Sequence, residues 1–358
     1  MLLKTDSDHM IDRLRGLAAV FVALGHGMDV AGSAFAASDA YHFLLLPWRP
    51  YLGFSWVIAF IVLSGFCIVN STVKAGPRYS LPQFILMRIT RIFPMLVICV
   101  AFAGVVEFFC FGSTSRPPVW NNHFTLEAFG LALVGMAGIN NGSGQFGSIA
   151  PSYTITFELF YYLLWGIVVA IMPTLPIRAL VISFLVAAAL CVWTLTIGSS
   201  NSLLIVCLVP WLIGGAAVFV RNDFLKMMSP VVMWVILFIF YTYGLQNWAM
   251  PRIMATWQSL IYFSALGALF AATVVCQLAS DGRRSRYDNW LGEISFPLFL
   301  VHGPMFILVA TVLRGVGWLP SYGVLLAVMF ACSLGAAQLL VRFVERPVME
   351  WRRSIRRA

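Results

Sequence analysis

Six ionisable side chains interrupt stretches that are otherwise apolar or border them closely: Arg15, His26, Arg88, Arg91, Glu158 and His302. An ionisable group is costly in hydrocarbon, so each one inside or beside an apolar run marks a candidate site. Arg15 and His26 stand eleven residues apart in IDRLRGLAAVFVALGHGMD, Ile11–Asp29. At about 100° per residue this spacing sets both on one helix face, about 16 Å apart along the axis. Gly25 and Gly27 flank the histidine and admit another backbone or a substrate. Arg88 and Arg91 are i, i+3 neighbours, a paired guanidinium set that suits a phosphate-bearing ligand, since arginine grips phosphate in a bidentate manner. Glu158 can orient or deprotonate a histidine, or hold a sugar hydroxyl, and Tyr162 follows four residues on along the same face. Ser64-Gly65 in FIVLSGF allows either close helix contact or backbone approach by a ligand. His302 lies beside Gly303-Pro304, where the proline should loosen the helix.

Each residue also has a plainer reading. Arg15 can snorkel, and His26 can be hydrogen-bonded for packing. The arginine pair can serve orientation and anionic-lipid contact. Glu158 can sit near a helix N-terminus, where the dipole favours it.

The elements that must position these residues follow from composition. Of 358 residues, 61% are hydrophobic and 10% charged, against about 25% charged in soluble domains. This predicts an all-α polytopic membrane protein with one integral membrane domain over 1–358 and no appended soluble domain. The net charge of +9 does not indicate nucleic-acid binding, because the basic residues fall between apolar spans, as orientation rules require. All seven cysteines lie in apolar stretches, with no C-x-x-C and no Cys/His cluster, so neither a disulfide framework nor a metal site is expected. Ala34-Phe35-Ala36 resembles a signal-peptidase site, but Asp6, Asp8 and Asp12 precede it and His26 and Asp29 intervene, so the first helix is expected to be retained.

Apolar runs long enough to span occur at 14–31, 52–70, 92–111, 155–172, 178–198, 202–220, 229–245, 256–279, 294–313 and 321–343. The segment 124–139 is shorter and rich in Gly and Ala. With that segment re-entrant or interfacial and the N-terminus cytoplasmic, the outer loops hold only Arg49, Arg116, Arg252 and Arg314 of the 23 Lys and Arg. The positive-inside rule therefore predicts ten transmembrane helices with both termini cytoplasmic. Trp193, Trp211, Trp248 and Trp257 include expected interfacial anchors, and the basic tail Trp351–Arg357 is expected to be another.

Taken in order, these motifs resemble the integral membrane acyltransferase family three, the bacterial glycan O-acyltransferases. IDRLRGLAAVFVALGH is similar to that family's first motif, FIVLSGF to its second-helix signature, and RITRIFP to its inner arginine pair with proline. YTITFELFYYLL corresponds to its W-S-L-x-x-E-x-x-F-Y segment, LGEISFPLFLVHGP to its late histidine motif, and FVERP closes the set, so the resemblance covers a core of 11–347. The sequence departs from the pattern at Arg13, where the family often has glycine, and at Tyr153, Thr154 and Tyr161, which replace Trp, Ser and Phe.

The resemblance implies a multi-pass enzyme of the bacterial inner membrane. It would move an acyl group, usually acetyl, from cytoplasmic acyl-coenzyme A to a hydroxyl of a lipid-linked or exported glycan. Acyl-coenzyme A (acetyl-CoA) is then a co-substrate rather than a permanently bound cofactor. On this reading His26 is the general base or the acyl carrier, and histidine suits either role because its unperturbed pKa is about 6.5. Arg15 holds donor phosphate or the thioester oxygen, and Arg88 and Arg91 grip coenzyme A with Ser64 and Gly65 nearby. Glu158 and Tyr162 serve the acceptor, with His302 on the substrate side. A glycan or lipid transporter would also use buried histidines and a broken helix, but no internal repeat is present. A non-catalytic partner of a polysaccharide synthase would need neither His26 nor the arginine pair.

Overall fold

The computed structural model describes residues 8–34, 49–111, 124–137, 145–149, 152–174, 176–198, 202–220, 229–247, 256–279, 285–318 and 320–355. Arg116, Arg221, Asp223, Lys226, Trp248, Arg252, Arg283 and Arg284 lie outside these residues. So do Phe35-Ala36, the loop residues 138–144 and the last tail arginines.

Helices account for nearly all of the described residues. They are α1 (Asp8–Ala34), α2 (Arg49–Ala75), α3 (Leu81–Phe111), α4 (Leu126–Leu133), α5 (Ser152–Ile171) and α6 (Pro176–Ile197). There follow α7 (Ser202–Ala216), α8 (Pro230–Asn247), α9 (Trp257–Ala279), α10 (Arg286–Gly315), α11 (Tyr322–Leu340) and α12 (Arg346–Ile355). Hydrocarbon offers no partner for a bare amide, and a helix satisfies its backbone internally, so long apolar runs fold this way. The apolar side chains left exposed, such as Leu185, Trp193 and Ile197 on α6, suit lipid rather than water. The protein is all-α and multi-pass.

Among the described residues eight helices are long and apolar enough to cross a membrane. The expected span at 202–220 corresponds to a shorter apolar helix, Leu203–Phe219, and the one at 229–245 to the 18-residue α8, Pro230–Asn247. The first of these carries Pro210 and ends in a 3-10 turn, Ala217–Phe219. Its 15 α-helical and 3 tighter residues reach about 28 Å, just under the roughly 30 Å of a hydrocarbon core. In the 124–139 segment, α4 has only 8 residues, about 12 Å, which cannot cross as a helix. Thr125 caps it by accepting a hydrogen bond from the Ala128 amide at 3.1 Å.

By its packing the chain divides into two units built from separated stretches. One comprises 1–15, 57–85 and 157–292; the other comprises 16–56, 86–156 and 293–358.

In the first unit α2 meets α7 at backbone distance. A Cβ on Gly65 would lie 1.9 Å from the Trp211 carbonyl oxygen, and one on Gly214 would lie 2.0 Å from that of Val62. Only glycine permits either contact. The N-terminal ends of α1 and α10 are tied by Arg13, whose Nε and Nη2 donate to Asp288 Oδ1 and Oδ2 at 2.7 and 2.8 Å. Gly292 receives Asp12, whose Cβ would stand 2.5 Å from any added methyl.

In the second unit α10 runs through Pro297 and Pro304 without a break. The loosening expected past His302 does not interrupt it.

Candidate active site

His26 on α1 and His302 on α10 are in direct contact within the second unit. Nδ1 of His26 lies 2.9 Å from Nε2 of His302, with the rings stacked at 5.1 Å and 28°. They are separated by 276 positions in the chain. His302 is 0% exposed, whereas His26 is partly exposed, so His302 is the more deeply buried of the two. Nδ1 of His302 lies 2.9 Å from the carbonyl oxygen of Leu298, one turn back. The Phe306 ring packs edge-on against His302 at 5.6 Å. Gly27, read in the sequence as an opening beside His26, is filled by protein: a Cβ there would meet Leu326 at 2.7 Å and Phe306 at 3.3 Å.

Arg88 and Arg91, in the same unit, are both partly exposed on α3. Arg91 lines a small pocket with Pro94, Phe296, Val344, Glu345 and Arg352. Arg352 was expected at the interface with the rest of the tail. It is instead 8% exposed, and its Nη2 donates to the Met87 carbonyl oxygen at 2.8 Å. Val341, Val344 and Val348 recur at helical spacing, and continuing that stripe by four residues reaches Arg352. That periodicity was the available signal.

The first unit holds a second polar group. Tyr162 donates to Glu158 Oε2 at 3.0 Å, and its oxygen lies 2.9 Å from Ser64 Oγ. Trp211 Nε1 donates to Ser64 Oγ at 3.3 Å. The indole only donates, and the single Tyr162 proton goes to the carboxylate, so Ser64 must donate to Tyr162. The chain therefore runs in one direction, from Trp211 through Ser64 and Tyr162 to Glu158. Trp211, at 1% exposure, is a buried donor rather than an interfacial anchor, whereas Trp193 and Trp257 are exposed. Gly65 realises the helix-contact alternative, since its open face is occupied by Trp211. Arg15, on α1 in this unit, lies 3.9 Å from Asp12.

Two departures from the family pattern are compensated locally. Arg13 has Asp288 as partner. The added hydroxyl of Tyr161, on a fully buried ring, donates to the Leu204 carbonyl oxygen. The sequence reading gave no role to Glu107, a buried carboxylate on α3. It packs beneath Gly147, whose φ of +48° and lack of a Cβ let the loop close over it.

A multi-pass helical protein with a paired histidine inside its membrane spans defines a class of intramembrane enzyme candidates. Comparison with known families is more specific: the family model described as an acyltransferase domain, acyltransferase family 3, matches residues 8–338. The chain belongs to that family and is a membrane acyltransferase. No curated protein and no solved structure matches it.

Proposed function

We propose that this acyltransferase transfers acetyl from cytoplasmic acetyl-coenzyme A to a hydroxyl of a cell-surface or exported glycan in the bacterial inner membrane. The contact between His26 and His302 carries the reading: it supports a partly exposed imidazole, able to take up a proton, backed by a second imidazole.

The acceptor hydroxyl loses its proton to His26 as its oxygen attacks the thioester carbonyl carbon. The C–O bond forms, the C–S bond breaks, and the coenzyme A thiolate departs and is protonated. Arg88 and Arg91 bind the phosphates of the donor, and Arg15 adds positive charge for donor phosphate or thioester oxygen. Glu158 and Tyr162 bind hydroxyls of the acceptor.

Mass spectrometry of surface glycans from cells with and without the protein tests this directly. An acetyl group lost with the protein, restored by the wild type and not by a folded His26→Ala variant, is the expected result. Unchanged glycans, or full restoration by His26→Ala, would overturn it.

A further inference from the structure

We propose that His302 is the positioning residue of His26: it fixes the tautomer so that Nε2 of His26 is the reacting nitrogen. The argument starts from a carbonyl oxygen, which can only accept. The 2.9 Å contact between Nδ1 of His302 and the Leu298 oxygen therefore requires a proton on that Nδ1. In an uncharged imidazole the other nitrogen then carries the lone pair, so Nε2 of His302 is an acceptor. The 2.9 Å contact to His26 must be donated by Nδ1 of His26, which leaves the His26 lone pair on Nε2.

The assignment passes along one line of atoms, from a backbone carbonyl through a fully buried residue to a partly exposed one. The buried ring is held in orientation: His302 is 0% exposed, and Phe306, also fully buried, packs edge-on against it. Backbone carbonyl and second imidazole together play the part that a carboxylate plays behind the histidine of a hydrolase triad.

The same line can relocate charge. When Nε2 of His26 takes the hydroxyl proton, the proton on its Nδ1 can pass to Nε2 of His302. The positive charge then rests on His302, whose Nδ1–H stays on the Leu298 oxygen, and His26 is again uncharged.

This inference rests on the proposed role of His26, and the experiment separates the two. Nitrogen-15 NMR of ring-labelled histidine in the lipid-reconstituted protein distinguishes protonated from lone-pair nitrogens. The wild type is expected to show His26 protonated at Nδ1 and unprotonated at Nε2. His302→Leu is expected to lose that signature and to lower kcat by about 10²–10⁴-fold. His302→Gln, whose amide oxygen can accept from Nδ1 of His26, should retain the signature and recover much of the rate. A wild-type His26 protonated at Nε2 would overturn the proposal without any variant, and an unchanged signature in folded His302→Leu would overturn it equally. Should the signature hold while folded His26→Ala stays active, the assigned catalytic role falls and the tautomer assignment stands.

Discussion

Arg13 and Asp288 form a side-on, two-bond ion pair across 275 positions of sequence, with the carboxylate almost fully buried and the guanidinium about a third exposed. Asp288 also accepts from the Ser285 amide at 2.8 Å, so its second oxygen serves both the pair and the start of α10. The arginine replaces a residue that is often glycine in the family, and the compensating carboxylate lies 275 positions further along the chain.

Replacing Arg13 by Gly or Asp288 by Asn should each lower the melting temperature in lipid or detergent. Allowing for solvent screening of the exposed guanidinium, the coupling from a double-mutant cycle should be about 1–2 kcal/mol. Strictly additive losses would show that the two groups do not stabilise one another.

Gly65→Ala should abolish folding of the protein or sharply reduce its yield. The nearest atoms to the added methyl are backbone atoms of Trp211 and Gly215, which cannot change rotamer to make room. Gly335→Ala is the matched control: nothing lies within 4 Å of its Cβ, so yield and melting temperature should hold or rise slightly. Equal tolerance of the two substitutions, read by size-exclusion profile, would contradict the close crossing of α2 and α7.

Tyr162→Phe removes the middle of the directional chain and leaves Glu158 and Ser64 without this link. If this group faces the acceptor, KM for the glycan should rise about fivefold, as for one lost hydrogen bond, while KM for acetyl-coenzyme A stays near the wild-type value. Ser64→Ala should act in the same direction. A selective rise in KM for acetyl-coenzyme A would instead keep Ser64 on the donor side, where the sequence reading has it, and move Tyr162 there with it.

The costly residues were legible in the sequence because an apolar background exposes them. His26 and His302 stood out this way, as did Arg15 and, at the border of its run, Glu158. The all-helical, multi-pass fold was legible for the same reason. Partnership was not, since nothing in local periodicity links position 26 to position 302 or Trp211 to Ser64. A tryptophan near the end of an apolar run looks the same whether its indole anchors in the interface or donates in the interior. The length of α7 was also hidden, because a hydropathy run does not register where Pro210 and a 3-10 turn tighten or end a helix. Arg352 was masked by its basic neighbours, and only the valine stripe before it gave the direction of its side chain.

Trp211 holds two consecutive residues of α2 by different means: its carbonyl oxygen lies over Gly65, and its indole donates to Ser64. One grip is steric and the other polar, and both depend on the same residue of α7. Sliding α2 by a single position would drive a side chain into the carbonyl and at the same time strip the indole of its acceptor. The crossing is therefore keyed like a lock with two pins. Evolutionary drift at Ser64, Gly65 or Trp211 one position at a time should be rare, because each intermediate sequence loses one pin before another can be cut.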